Sequence, residues 1–299
     1  VPSGISGKFR NTAGPAEWFT TWRTHHLDFQ ESQTYSPIHH VPGFKIVMTQ
    51  TQPASHPTLD PDGPLLGRIA ALDWPTLAAE LDRFGCALVG PLFTPDQCEA
   101  LAASYDDDSS GRFRSRVVMA RHGYGQGEYR YFAYPLPSLI HEVRTRLYPP
   151  LAAIANRWNE AMGLEVRYPE EHPAFLDRCH SAGQTRPTPL LLRYGSGDYN
   201  CLHQDLYGEH VFPLQVAFLL SRPGVDFTGG EFVLTEQRPR MQSRAEVVPL
   251  EQGQGVIFPV HHRPVQGTRG TYRVTMRHGV SRLRSGHRHT LGIIFHDAV

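Results

Sequence analysis

From Pro189 to the end of the chain, short apolar runs recur: LLLRY, VFPLQVAFLL, GEFVLTE, AEVVPL, GVIFPV, YRVTMRHGV and HTLGIIF. Gly, Pro and Asp punctuate them. Runs of this length, bounded by turn residues, read as strands. No helix-length segment lies between them, so a parallel sheet with helical crossovers is excluded and a two-sheet sandwich or barrel is expected. Such a barrel leaves a mouth in which a ligand can sit.

The preceding half has a different character. Residues 1–65 are poorly patterned and end in the linker-like TQPASHPTLDPDGP, with Trp18, Phe19 and Trp22 as candidate docking residues for the arm. Residues 66–299 then form the expected domain, with 66–188 as helical and strand support and lid, and 189–299 as the barrel core. Asp73-Trp74-Pro75 opens a helix to about Arg83. CALVGPLF (86–93) reads as a strand. Thr94-Pro95-Asp96-Gln97 has the capping-box pattern and opens a helix to about Ser104. Residues 111–134 alternate Arg, Val, Tyr and Phe around a glycine break at GYGQG (123–127), which reads as two strands joined by a flexible lid. The simplest place for Tyr124, Tyr129, Tyr131, Phe132 and Tyr134 is the core beneath the helical stretch 138–161. That stretch is interrupted by Pro149-Pro150 and reads as one kinked helix or two short ones.

Composition narrows the classes. The 299 residues carry 29 basic and 29 acidic side chains, and this neutral balance speaks against tight duplex binding. Charge is uneven, however. Between Arg238 and Arg288 there are ten arginines (238, 240, 244, 263, 269, 273, 277, 282, 284, 288) against Glu246 and Glu251, a local excess of eight positive charges. Two readings stand: a solvated face ion-paired to Asp106–Asp108, Glu170 and Glu171, or a cationic rim for an anionic substrate. Cys86, Cys98, Cys179 and Cys201 form no CxxC pair, and we expect reduced core thiols in a cytoplasmic protein. No window approaches a membrane span and no secretory signal is apparent.

The chemistry gathers in two segments. In His203-Gln204-Asp205 the first and third side chains of an extended strand share a side and can converge on one ion. An HxD alone is common by chance. The segment His278-Gly-Val-Ser-Arg-Leu-Arg-Ser-Gly-His-Arg288-His-Thr290 supplies a second histidine, a turn at Gly286, and a strand with Arg288 and Thr290 on one face. Two histidines and a carboxylate make a facial triad, leaving open positions for a bidentate oxoacid and O2. His261 and His262 are rivals for the third ligand, but positions 271 and 272, at the matching distance, are Thr and Tyr. With seventeen histidines in the chain, His287, His289 and His296 read as structural or surface residues, and Arg282 and Arg284 as solvated turn residues.

Taken in order, Tyr194-Gly-Ser-Gly197, His203-Gln-Asp205, Thr228-Gly-Gly-Glu231, Phe258-Pro259 and His278-x-Val280 followed by Gly286 and Arg288 resemble the Fe(II)/2-oxoglutarate-dependent dioxygenase superfamily, in its prolyl-hydroxylase-like branch. The resemblance covers roughly residues 86–299 and is strongest from 190 on. The segments YNCLHQDLYGE, TGGEFVLTEQRPRMQSRAEVVPL and HGVSRLRSGHRHTLGIIFHDA are also similar to a bacterial group of such oxygenases associated with oxidative repair of nucleic acid. The stretch between Phe258-Pro259 and His278 is longer than the family pattern and reads as an extra hairpin at the rim. The resemblance implies an α+β protein: a double-stranded β-helix (jelly-roll, cupin-like barrel) flanked by N-terminal helices. It implies Fe(II) on His203, Asp205 and His278, and 2-oxoglutarate clamped by Arg288 with contacts from Thr290 and Tyr194. O2 is the oxidant and ascorbate a candidate reductant. The reaction it implies is oxidative decarboxylation of 2-oxoglutarate to succinate and CO2, coupled to hydroxylation or oxidative demethylation. The substrate stays open among a small molecule, an amino acid or peptide, and an alkylated nucleobase, for which stacking on the tyrosine-rich loop is physically sensible. Other classes are a non-catalytic 2-oxoglutarate or metal sensor and a zinc-binding cupin-like hydrolase. A hydrolase has no use for the Arg288 clamp, and no HExxH pattern is present.

Overall fold

Local capping explains where the first helices begin and end. In the computed structural model, which describes residues 64–107 and 111–299, α1 (Pro64–Ala70) leads into α2 (Trp74–Phe84). Asp73 caps α2 by accepting the Thr76 amide at 3.2 Å, and Gly85 ends it in the left-handed conformation. The strand expected over 86–93 shrinks to β1 (Ala87–Val89), because Gly90 turns to φ 98° and Pro91 brings no N–H to a ladder. α3 (Pro95–Ala103) starts with the full capping box between Thr94 and Gln97. The expected arm, with Trp18, Phe19 and Trp22, lies outside the described residues.

The segment 111–134 differs from the expected lid. It forms β2 (Phe113–Val118), β3 (Gly125–Gln126) and β4 (Glu128–Phe132), each hydrogen-bonded into a sheet. α4 (Ser138–Ala161) runs unbroken through Pro149 and Pro150 and is followed by α5 (His172–Ser181). A proline inside a helix costs about 3 kcal/mol. Leu147, Tyr148, Leu151, Ile154 and Trp158, all buried, each return roughly 1.5–3 kcal/mol on burial. Packing therefore outweighs the helix-breaking pair.

The apolar runs after Pro189 become β5 (Leu190–Tyr194), β6 (Tyr199–His203), β7 (Leu214–Leu219), β8 (Phe227–Gly229), β9 (Phe232–Gln237), β10 (Arg244–Val248) and β11 (Gly255–Pro259). They continue as β12 (His262–Gly267), β13 (Gly270–Val280), β14 (Leu283–Gly286) and β15 (Arg288–Ile293). Their order defines the architecture. One sheet runs β1-β11-β7-β15-β5-β4-β2 and the facing sheet β10-β9-β13-β6-β3. Apart from the short β8–β14 pair and the hairpins β9–β10 and β12–β13, the chain from β5 to β15 alternates between these two antiparallel sheets, which is the double-stranded β-helix. β12 pairs with β13 and is the extra hairpin of the long 259–278 stretch.

The larger sheet has two apolar faces. Leu191, Phe218, Leu291 and Ile293 face outward and join the helical core with Ile140, Leu147 and Trp158. Leu219, Val256 and Phe258 face inward and meet Phe232 and Leu234 of the opposite sheet. Of the expected core aromatics, only Phe132 joins the helical core. Arg144 of α4 is buried and ion-paired at 2.8 Å with buried Asp297, which also accepts from Tyr134 at 2.8 Å. This network ties α4 to the end of the chain.

The arginine-rich stretch pairs differently from expectation. Arg238, Arg244 and Arg263 surround Glu236, and Arg263 and Glu236 are both buried. Asp106 pairs instead with Arg193. The four cysteines are free, and Cys201 is exposed rather than a core residue. No helix among the described residues is long and apolar enough to cross a membrane.

Candidate metal centre

The end of β6 and the end of β13 lie side by side in the smaller sheet, with His203 opposite His278 in the register. This pairing brings together two histidines 75 positions apart in sequence. Asp205, just past β6, completes the group. The His203 Nε2 is 3.5 Å from Asp205 Oδ1, and the His278 Nε2 is 3.3 Å from Asp205 Oδ2. One donor atom from each residue lies within 4.8 Å of the others, and among the described residues no other such group of His, Cys, Asp and Glu forms. Gln204 turns away and donates to the Met276 carbonyl at 2.8 Å. The rivals His261 and His262 stack on each other with centroids 3.5 Å apart, outside this group.

Second contacts orient the donors. The His203 Nδ1–H donates to the Cys201 carbonyl at 2.8 Å, which turns Nε2 toward Asp205. Tyr207 donates its hydroxyl to Asp205 Oδ1 at 2.7 Å, so Oδ2 is the oxygen left to face His278. Burial pushes the Asp205 carboxyl up, but hydrogen bonds and charge from His203 and His278 outweigh it and hold the group well below the usual carboxylate range. Burial lowers the His278 imidazole, helped by the charge of His203, and leaves it the more readily neutral of the pair. On His203 the hydrogen bond and charge of Asp205 outweigh burial and raise it. Tyr207 was missed in the sequence, although its place two residues after Asp205 is the signal by which HxD itself was found.

Arg288 opens β15 opposite Tyr194 of β5. Its side chain is 1% exposed, and burial pushes its pKa down to about 10. Among the described residues it has no carboxylate ion pair. Nη1 donates to Thr290 Oγ1 at 2.8 Å, and Nε has no partner. The guanidinium carbon lies 5.7 Å from the Tyr194 ring centroid and 5.9 Å from that of Phe227. Two glycines of the expected motifs permit this. Gly230 sits at φ 65°, and a Cβ there would collide with Leu283 and approach Arg288 Cδ to 3.2 Å. Gly286, at φ 78°, is packed against the Asp226 carbonyl. The Tyr194 hydroxyl accepts from Asn200 at 3.4 Å, and burial pushes its pKa up to about 12.

Candidate donors and cation line one pocket. His203, Asp205 and His278 stand on one side, Arg288, Thr290 and Tyr194 on another, and Tyr124, Tyr129, Tyr131 and Tyr207 complete the wall. Tyr129 and Tyr131 pack edge to face with centroids 5.4 Å apart, and Arg114 lies 4.4 Å over the Tyr131 ring. These tyrosines were expected in the helical core. The reason they are not is parity: residues 129 and 131 of β4 face the barrel, while Phe132 faces the helices.

Comparison with known proteins agrees with the geometry. Residues 127–298, more than half the chain, match the Oxygenase-NA family, described as "Oxygenase, catalysing oxidative methylation of damaged DNA". The chain belongs to this oxygenase family. An uncharacterised protein of Mycobacterium tuberculosis (strain ATCC 25618 / H37Rv) is 51% identical over 167 residues, 56% of this chain and 72% of the relative. Among solved structures, a Pseudomonas putida prolyl-4-hydroxylase is similar at TM-score 0.44 and 14% identity, over 76% of this chain and 99% of that one. A 2OG-Fe(II) oxygenase family oxidoreductase of Burkholderia pseudomallei is similar at TM-score 0.45 and 15% identity, over 77% and 94%.

Proposed function

We propose that this oxygenase depends on Fe(II) and 2-oxoglutarate and removes methyl groups from alkylated bases of nucleic acid. The observation that carries the cofactor reading is Arg288, a buried cation with an unpartnered Nε at one end of a pocket whose side holds two histidines and a carboxylate. Three donors on one face of an octahedral ion lie roughly 3 Å apart when each bond is about 2.1 Å. The 3.3 Å from His278 Nε2 to Asp205 Oδ2 fits that arrangement, and the three donors lie within 4.8 Å of one another. The set of two imidazoles and one carboxylate suits Fe(II) and leaves positions open. A buried unpaired guanidinium matches the distal carboxylate of 2-oxoglutarate through paired charge-assisted hydrogen bonds.

When bound, iron and 2-oxoglutarate with O2 supply the oxidising power for inserting oxygen into a substrate C–H bond. The chain does the rest. His203 and His278 present neutral nitrogens, Asp205 a single free oxygen, and Tyr207 fixes which oxygen that is. Arg288 and Thr290 orient the co-substrate along the barrel. Phe232 and Phe258, which pack on His278 with centroids 6.1 and 4.6 Å away, exclude water behind it. Ascorbate would serve as external reductant.

The family description supports damaged nucleic acid as substrate. Oxygen insertion at an N-bound methyl gives N–CH2OH, which collapses to N–H and formaldehyde. The net outcome of such oxidation is therefore loss of the methyl group. The test is incubation of the iron-loaded protein with 2-oxoglutarate and an N-methylated single-stranded oligonucleotide, reading succinate and formaldehyde together. Equimolar release of both supports demethylation. Succinate without formaldehyde, alongside a hydroxylated peptide or amino acid in a parallel reaction, would transfer the activity to that substrate class.

A further inference from the structure

The cofactor chemistry uses one end of the pocket and leaves a second orphaned group unexplained. Gln215 lies on β7 opposite Phe258 of β11, is 5% exposed, lines the pocket, and has an Nε2 with no hydrogen-bond partner among the described residues. A buried amide left unpaired costs about 1–3 kcal/mol, and its neighbours in the run LQVAFLL show that an apolar residue suits the strand. An inward amide at this position thus marks a place where a ligand supplies the missing bonds.

Register separates this amide from the 2-oxoglutarate end. Thr290, the partner of Arg288, is opposite Leu219, and Gly292 is opposite Ala217. Gln215 is therefore four residues further along β7, about 13 Å at roughly 3.3 Å per residue. A co-substrate gripped at Arg288 and Thr290 would have its distal carboxylate at the other end of that span. Tyr124, Tyr129, Tyr131 and Tyr207 line the same pocket as Gln215, and Tyr131 lies beneath the Arg114 guanidinium.

We infer that Gln215 is the residue that reads the substrate, its amide pairing with the donor–acceptor edge of a flat nitrogen heterocycle seated against the tyrosine wall. This rests on the proposed demethylase reading and deepens it. An amide offers a donor beside an acceptor and can bond bidentately to a base edge bearing the same pair. The aromatic rings lining the same pocket give a stacking surface that any base can use. A prolyl or aliphatic side chain has no such edge and would leave Gln215 unpaired.

The test compares wild type with Gln215→Leu and Gln215→Met, which remove the amide and keep the bulk. The probes are N-methylated nucleoside monophosphates and a proline-containing peptide, with succinate as the readout. In parallel, anaerobic titration of the Fe(II) protein with 2-oxoglutarate reads co-substrate affinity. We expect KM for the methylated nucleotide to rise at least tenfold in both variants, while the 2-oxoglutarate midpoint stays within twofold. An unchanged KM overturns the inference. An equal weakening of 2-oxoglutarate overturns it too, by assigning Gln215 to the co-substrate, and so does a wild type that turns over the peptide and no methylated base. If the wild type fails to bind iron and 2-oxoglutarate, the cofactor reading falls separately. Equilibrium binding of the same nucleotides to metal-free protein then decides on Gln215, and variants binding as tightly as wild type overturn it.

Discussion

Replacing Arg288 with methionine should stabilise the protein when no 2-oxoglutarate is present. The guanidinium is buried, without an ion pair among the described residues, and its pKa falls from 12.5 to about 10 through burial, partly offset by Tyr194 and Glu231. A shift of that size corresponds to roughly 3 kcal/mol against the charged form. Loss of the hydrogen bond to Thr290 takes back about 1 kcal/mol. A net gain of about 2 kcal/mol remains, or about 4–8 °C in Tm at 2–4 °C per kcal/mol. Metal-loaded wild type should gain about 2.7 kcal/mol from 2-oxoglutarate at a hundred times its Kd, and the variant nothing. The assay is thermal unfolding of both proteins with and without 2-oxoglutarate. A ligand-free variant destabilised by about 3–5 kcal/mol, as when a buried ion pair is broken, would refute the reasoning, because Arg288 would then have a counter-ion within the chain.

Other outcomes follow from the same contacts. His203→Ala and Asp205→Ala should each abolish iron binding in equilibrium dialysis, whereas full activity in His278→Ala would return His261 and His262 as candidates. Tyr207→Phe frees Asp205 Oδ1 and should weaken iron affinity by about 10–100-fold with little change in Tm; unchanged affinity would show that the hydroxyl does not position the carboxylate. Stability should fall on acidification. Burial pushes His172 down to about 3 and His296 to about 4, so the folded state favours neutral rings. That contribution, on the order of 3 kcal/mol each, is complete above the unfolded value near 6.5 and is lost as pH falls toward 4 and below. Urea denaturation at pH 7, 5.5 and 4.5 reads the decline; a flat profile would contradict it.

The barrel and its candidate ligands were legible because their signals are local and periodic. Residues two apart on a strand share a side, which made HxD meaningful and placed Arg288 with Thr290. The glycines at 230 and 286 were legible through the family resemblance, and the structure gives their reason, since a side chain at either would collide with its neighbours. The helix through Pro149-Pro150 was less legible, since its stability comes from a barrel face contributed by residues far along the chain. The tyrosines of β4 were misassigned for a related reason. Strand alternation predicts that 129 and 131 share a side, but only the pairing of β4 with β5 decides that this side is the pocket. Gln215 carried a signal, one amide inside an apolar run, which gains meaning once the register puts it four residues along β7 from Leu219, the position opposite Thr290.

The central claim is that one pocket holds iron on His203, Asp205 and His278 and 2-oxoglutarate on Arg288. The most direct measurement is anaerobic addition of Fe(II) and then 2-oxoglutarate, watching for a weak visible charge-transfer band, followed by admission of O2 and assay of succinate. The account predicts a band in the wild type, its loss in Asp205→Ala, and succinate once oxygen enters. A folded, metal-loaded wild type that shows no band and releases no succinate would contradict it.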